Sequence, residues 1–202
     1  IAADSMGQGG MREIGIGALL GLDDWRLETL ALAEHAQYLM KKYWKSRVSF
    51  SFPRLRPAKG VDLTLTAERI SQAPNFMLGV NPQDKPGGLP VSAVNSGGFQ
   101  LLSDKNLVQM ILALRLCFAD AGMTISTREP AYLRDQLVKL GITRMSAGSK
   151  TNPGGYSSHT DSVGQFDIDD SRTPAQVAAM LKSQGLEPVW KDWDAAFNIV
   201  NG

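Results

Sequence analysis

The strongest constraint on the fold is an alternation repeated along the chain: a short apolar run, a turn, a helix-period stretch, and another apolar run. Met11–Leu22 (MREIGIGALLGL) is uncharged beyond Glu13 and predicts a strand buried on both faces, as in a parallel sheet, leading into a loop. Asp23 and Asp24 supply an N-cap and first-turn carboxylates. From Trp25 to Trp44 the residues Leu27, Leu30, Ala31, Ala33, Leu39 and Met40 recur at helical spacing, with Lys41, Lys42 and Lys45 at the far end. Arg47–Phe52 alternates like a strand and Pro53 stops it. Strand, helix and strand in this order need a crossover connection, which favours parallel pairing.

The alternation continues downstream. Ser103 and Asp104 open a helix through Lys105–Ala121, with Leu107, Met110, Ile111, Leu114 and Phe118 on one face, and Gly122 ends it before a strand at Met123–Thr127. Pro130–Leu140 predicts a helix closed by Gly141, Ile142–Ala147 a short strand, and Lys150–Ser158 a glycine-rich loop. Thr173-Pro174 opens a last helix that runs to Gln184, with Pro at its first turn. Gly185 closes that helix and Glu187–Lys191 reads as a final strand-like piece. The fold class is therefore α/β, either a (β/α) barrel or a doubly wound sheet. Residues 57–102, with Pro74, Pro82, Pro86 and Pro90, break the pattern and predict a functional lid or an insertion. Phe76, Met77, Leu78 and Val80 argue that part of it packs, with a short helix near Thr66–Gln72.

Composition removes several classes of function. Lys+Arg total 21 against 20 Asp+Glu, a net charge of +1, so no electrostatics favour nucleic acid or an acidic membrane as partner. The single Cys117 excludes an intrachain disulfide and a four-thiolate cluster, and the two histidines, His35 and His159, cannot form a three-histidine zinc site. Cys117 sits among Leu114, Leu116 and Phe118 and reads as an inert core thiol. His35 and His159 read as solvated or hydrogen-bonded histidines, and Trp190 and Trp193 as packing aromatics. No apolar run reaches the roughly 18 residues of a membrane span. The start at Ile1 reads as a processed chain or as a piece of a longer protein.

In α/β folds the functional face carries the strand C-termini and the loops that follow them. Four segments here fall at that position: Gly17–Asp24, Pro53–Pro57, Ser126–Glu129 and Ser146–Gly155. Glycines in the first allow close backbone approach to a ligand, or simply make a strand-to-helix turn. Arg54 and Arg56 either fork onto a carboxylate or phosphate or form a solvated pair. Arg128 follows Ser126 and Thr127 at the end of a strand expected to be buried. It needs an anionic partner, either a ligand carboxylate or Glu129. The last segment offers hydroxyls, Ser146 and Ser149 among them, and flexible amides: an anion seat or a surface turn.

These segments lie within MREIGIGALLGLDDWR (11–26), YWKSRVSFSFPRLRPA (43–58), ISTREPAYLRDQL (125–137), ITRMSAGSKTNPGGY (142–156) and GLEPVWKDWD (185–194). Together and in this order they resemble the C-terminal half of the 2-iminoacetate synthases, tyrosine lyases of thiamine biosynthesis within the radical S-adenosylmethionine enzymes. The resemblance implies the C-terminal half of a TIM-like (β/α) barrel over residues 1–158, with a long insertion at about 59–102. Residues 159–202 would be a C-terminal extension associated with biotin and thiamine synthesis enzymes.

By the same resemblance, Gly17, Leu19, Gly21 and Asp24 match a Gly-x-Ile-x-Gly-x-x-Glu pattern flanking the adenine of S-adenosylmethionine, with mild departures at Leu19 and Asp24. Arg54 and Arg56 lie where the sixth barrel strand reaches that cofactor. Arg128 matches an arginine that holds the substrate carboxylate, with Ser126, Ser146 and Ser149 around it. The implied reaction uses a 5′-deoxyadenosyl radical to take hydrogen from the amino group of tyrosine. Cleavage of Cα–Cβ then gives p-cresol and dehydroglycine (2-iminoacetate), which passes to thiazole synthase in the cytoplasm. The family's Cys-x-x-x-Cys-x-x-Cys loop, which ligates a [4Fe-4S] cluster, has no counterpart here, so no metal site is expected in this chain and no turnover by it alone. Two alternatives stand beside this reading: a related aromatic amino acid lyase of hydrogenase maturation, which the tail GLEPVWKDWD counts against, and a non-catalytic half-barrel that serves as a binding module.

Overall fold

The structure is a computed structural model, described here for residues 2–55, 101–151 and 167–190. The insertion, its expected helix at Thr66–Gln72, Arg56, His159, Trp193, and most of the Lys150–Ser158 loop lie outside the described residues. In chain order the elements are α1 (Ala2–Gln8), β1 (Glu13–Gly17), α2 (Trp25–Lys42), β2 (Arg47–Ser51), α3 (Asp104–Cys117), β3 (Gly122–Ile125), α4 (Ala131–Leu137), β4 (Arg144–Met145) and α5 (Pro174–Ser183). The strands form one sheet in the order β1-β2-β3-β4. β1 pairs with β2 and β2 with β3, both parallel, with Ile16 opposite Phe50 and Phe50 opposite Met123. This is the α/β arrangement of a partial (β/α) barrel. The chain divides into two compact units, residues 1–125 with 140–144, and residues 126–139 with 145–202.

In the first unit β1 is buried on one face, not two. Ile14, Ile16, Val48, Phe50, Met123 and Ile125 are buried, whereas the alternate positions in β1 are Glu13, Gly15 and Gly17, with Gly15 and Gly17 exposed. The expectation of burial on both faces fails because that second face has no apolar side chain to bury. Helix α2 packs against β1, β2 and α3 through Trp25, Leu32, Ala36 and Leu39. Leu27 and Leu30, expected on that stripe, are exposed. Helix α3 buries Leu107, Met110, Ile111 and Leu114 as its spacing predicts, and each such side chain is worth roughly 1.5–3 kcal/mol. Phe118 follows it, its ring 5.4 Å from that of Phe50.

Several boundaries differ from expectation. Helix α3 ends at Cys117 instead of Ala121, which leaves Cys117 exposed, and Gly122 opens β3. Helix α4 is shorter than its pattern, with Pro130 as its N-cap. Residues 187–190 form no strand, and Trp190 is exposed. His35 is exposed, as a solvated histidine would be.

Helix α1 has no amphipathic signal in the sequence and forms on tertiary contacts. Asp4 accepts hydrogen bonds from Tyr38 Oη at 3.0 Å, Lys42 Nζ at 2.9 Å and Tyr43 Oη at 2.8 Å. These donors hold the Asp4 carboxyl well below the usual carboxylate range, the Lys42 bond contributing most.

The polar face of the sheet is tied across its width. Arg144, on β4, donates to the Glu13 carboxylate on β1, and Ser49 on β2 bonds the same carboxylate. In a flat sheet the outer strands of four would stand about 14 Å apart, so this pair marks a sheet curved toward its polar face. On the loops, the Arg115 Nη1 donates to the carbonyls of Phe118 at 3.3 Å, Ala119 at 2.7 Å and Ala121 at 2.9 Å, while its Nη2 donates to Gly141 O at 2.6 Å.

Candidate functional site

Two of the four expected segments meet in the first unit. Beyond β1 and β2 the backbone stays paired: Leu20 N donates to Pro53 O and Leu55 N to Leu20 O, both at 2.8 Å, so Leu20 lies opposite Arg54. Gly17 is required by its neighbour strand, since a Cβ there would sit 2.3 Å from Ser51 Oγ and 2.8 Å from the Ser51 carbonyl oxygen. Gly21 turns the chain at φ +109°, out of reach of most side chains. Leu20 is fully buried, yet Leu19 beside it is 40% exposed and presents an apolar surface next to bare glycine backbone. Asp24 caps α2: its Oδ1 accepts from Arg26 N at 2.7 Å, and its Oδ2 carries no bond among the described residues.

Arg54 lies opposite Leu20 in the same unit. Its guanidinium is buried and donates to Leu102 O at 2.8 Å and to Asp104 Oδ1 at 2.6 Å. That carboxylate belongs to the N-terminus of α3, so Arg54 joins the segment after β2 to that helix. Arg56 lies outside the described residues.

The other two segments meet in the second unit. Thr127, buried between Ser126 and Arg128, donates its N–H to Ser146 Oγ at 3.0 Å. Ser126 Oγ accepts from Arg128 N at 3.3 Å, and the Ser126 carbonyl accepts from Glu129 N at 3.3 Å. Arg128 is partly exposed and lies beyond the last strand residue, Ile125, so the premise of a buried strand end does not hold for it. Glu129, next to it, is the buried one. Ser146 and Ser149 are partly exposed, and the Ser146 hydroxyl proton is donated to nothing among the described residues. A hydroxyl that accepts from the backbone and keeps its own proton can donate to a carboxylate brought to this loop.

The sequence reading missed a charge network behind these loops. Arg134 on α4 is buried and ion-paired with buried Asp170. Arg172 Nε and Nη2 donate to Asp170 at 2.9 and 2.7 Å, and its Nη2 reaches Asp135 Oδ1 at 2.7 Å. Burial, the largest influence, would raise the Asp170 carboxyl, but the Arg172 hydrogen bonds together with the Arg134 and Arg172 charges hold it below its ordinary value. The available signal was Arg134 itself, which falls on the buried stripe of α4 with Leu133 and Leu137. Its partner, 36 residues away, leaves no local trace.

For S-adenosylmethionine, the exposed Leu19, the bare backbone at Gly17 and the unspent Asp24 oxygen suit an adenosyl group. An iron–sulfur cluster does not fit: the one cysteine, Cys117, ends α3, and no group of three potential metal ligands occurs among the described residues. No helix of the described residues is long and apolar enough to cross a membrane.

Successive β-α-β crossovers, with polar loops after the strands, define the class as a partial (β/α) barrel. The chain belongs to the Biotin and Thiamin Synthesis associated domain family, whose model matches residues 51–187. It is 39% identical over 193 residues to 2-iminoacetate synthase of Escherichia coli, covering 95% of this chain and 42% of that protein. The Salmonella typhimurium 2-iminoacetate synthase matches at the same identity and coverage. The chain thus spans about two-fifths of the length of these curated relatives. Among solved structures, HydG, a maturase of the [FeFe]-hydrogenase, superposes with a TM-score of 0.71 and 28% identity, over 97% of this chain and 35% of its own. The HydG of Carboxydothermus hydrogenoformans superposes at 0.59 with 31% identity, over 89% of this chain and 33% of its own.

Proposed function

We propose that this chain is the C-terminal part of a radical S-adenosylmethionine lyase that cleaves the Cα–Cβ bond of tyrosine, giving p-cresol and 2-iminoacetate for thiamine thiazole synthesis. The observation that carries this reading is the joining of Arg128 and Ser146 through the Thr127 N–H, in a chain 39% identical to 2-iminoacetate synthase. Arg128 forks onto the tyrosine carboxylate and Ser146, with Ser126 and Ser149 beside it, completes the seat. Leu19, Gly17, Gly21 and Asp24 hold S-adenosylmethionine, which when bound supplies a hydrogen-abstracting radical. The chain's own contribution to substrate recognition is to pin tyrosine by its carboxylate. The cluster ligands come from outside this chain. Residues 1–158 form the barrel portion and 159–202 the extension. Thiazole synthase is the proposed recipient of 2-iminoacetate, and the cytoplasm the proposed compartment.

The test restores the residues that precede this chain in its native protein, reconstitutes iron and sulfide without oxygen, and supplies tyrosine, S-adenosylmethionine and reductant. Appearance of p-cresol and 5′-deoxyadenosine by mass spectrometry is the expected result. Deoxyadenosine without p-cresol overturns the substrate assignment. The likeness to HydG favours one second reading, a lyase of hydrogenase maturation. The two separate on the fate of the two-carbon fragment: passage to thiazole synthase supports the thiamine reading, and failure of that transfer supports the other.

A further inference from the structure

Thr127 is clamped on both sides of its peptide. Its N–H goes to Ser146 Oγ at 3.0 Å, and its carbonyl accepts from Asp169 N at 3.1 Å and Asp170 N at 3.0 Å. Both clamping residues hang on one guanidinium, since Arg134 donates from Nη1 to the Asp170 carboxylate and from Nη2 to the Ser146 carbonyl. Arg172 closes the frame. It bonds Asp170 and Asp135 through its side chain, and its carbonyl accepts from Gly148 N at 3.1 Å. The cost of this arrangement is visible: Arg134 is wholly buried and its Nε has no partner among the described residues. Apolar residues of similar volume fill such a space at no loss of stability, so a buried arginine with an orphaned donor points to a task besides packing.

We propose that Arg134, acting through Asp170, is a positioning residue for the carboxylate seat: it fixes the Thr127 peptide, and with it the relative placing of Arg128 and Ser146, so that the seat takes an α-amino acid carboxylate. The inference rests on the reading of Arg128 as the group that holds the tyrosine carboxylate. Neither Arg134 nor Asp170 touches substrate. Their effect is on recognition of the carboxylate and leaves contacts to the ring and amine unchanged.

The test uses the full-length reconstituted protein with Asp170→Asn, and with Arg172→Gln, whose partly exposed site tolerates substitution. The readouts are KM and kcat for tyrosine, and competition by tyramine, which keeps the ring and amine but lacks the carboxylate. Asp170→Asn is expected to raise the tyrosine KM about tenfold, the scale of one weakened charge-assisted contact, and Arg172→Gln to raise it less. In both, kcat and tyramine inhibition stay near native values. A native tyrosine KM in either folded variant overturns the inference, as does equal weakening of tyrosine and tyramine, which general loosening would produce. A native protein that makes no p-cresol overturns the underlying reading and the inference with it. A native protein that makes p-cresol beside unaffected variants overturns the inference alone.

Discussion

Ser146 Oγ accepts the backbone N–H of Thr127 at 3.0 Å, although 19 residues separate them. That bond joins the loop after β3 to the loop after β4 and brings Arg128 and Ser146, two groups suited to a carboxylate, onto one short stretch of fixed backbone.

Arg128→Ala removes the charged half of the seat. Loss of a charge-assisted hydrogen bond costs about 1.5–3 kcal/mol, which corresponds to a roughly 10- to 100-fold rise in tyrosine KM. Binding of S-adenosylmethionine, read separately by equilibrium dialysis, stays near native. Unchanged tyrosine turnover in this variant sinks the assignment.

Ser146→Ala leaves Thr127 N–H without its acceptor and removes a donor from the seat. It should weaken tyrosine binding less than Arg128→Ala, by about the 0.5–1.5 kcal/mol of an uncharged bond. Calorimetric titration with tyrosine checks the order of the two variants.

Arg54→Met strips Asp104 and Leu102 O of a buried donor while keeping the stem's volume. Stability should fall by roughly 1.5–3 kcal/mol in urea unfolding, with S-adenosylmethionine affinity unchanged. A specific loss of cofactor affinity, with stability intact, restores Arg54 to the cofactor site.

Acid should loosen the tie across the polar face of the sheet. The Arg144 hydrogen bond holds Glu13 below its ordinary value of 4.5, despite the opposing effect of burial. A depressed folded-state pKa contributes stability that is fully present above the unfolded value and is lost as pH falls through the folded one. Urea midpoints measured downward from pH 6 should therefore decline below about pH 4.5 less steeply in Glu13→Gln than in the native protein. Parallel curves count against the pair.

Local signals in the sequence placed most of the fold. Ser103 caps α3 through Asn106 N, and Thr173 with Gln176 forms a complete capping box ahead of Pro174, because these contacts are made within one helical turn. The stripe of α3 was legible for the same reason. That of α2 was read less well: Leu27 and Leu30 have helical spacing, but the buried side is set by Trp25, Leu32, Ala36 and Leu39 against the sheet. Helix α1 depends on Tyr38, Lys42 and Tyr43, far along the chain, so nothing in its own residues announces it. The site followed the same division. Arg128 and Ser146 stand out as polar residues after apolar runs, whereas the Arg134–Asp170 pair exists only once the chain has folded, as does the pairing of Arg54 with Asp104, 50 residues away.

Arg115 has a consequence of a different sort. The carbonyls it gathers, at Phe118, Ala119, Ala121 and Gly141, belong to the two turns that feed β3 and β4. One planar cation thus sets the point from which both strands set out. A lysine holds a single point where the guanidinium holds a fork. Losing this one side chain would therefore untie two strand starts at once.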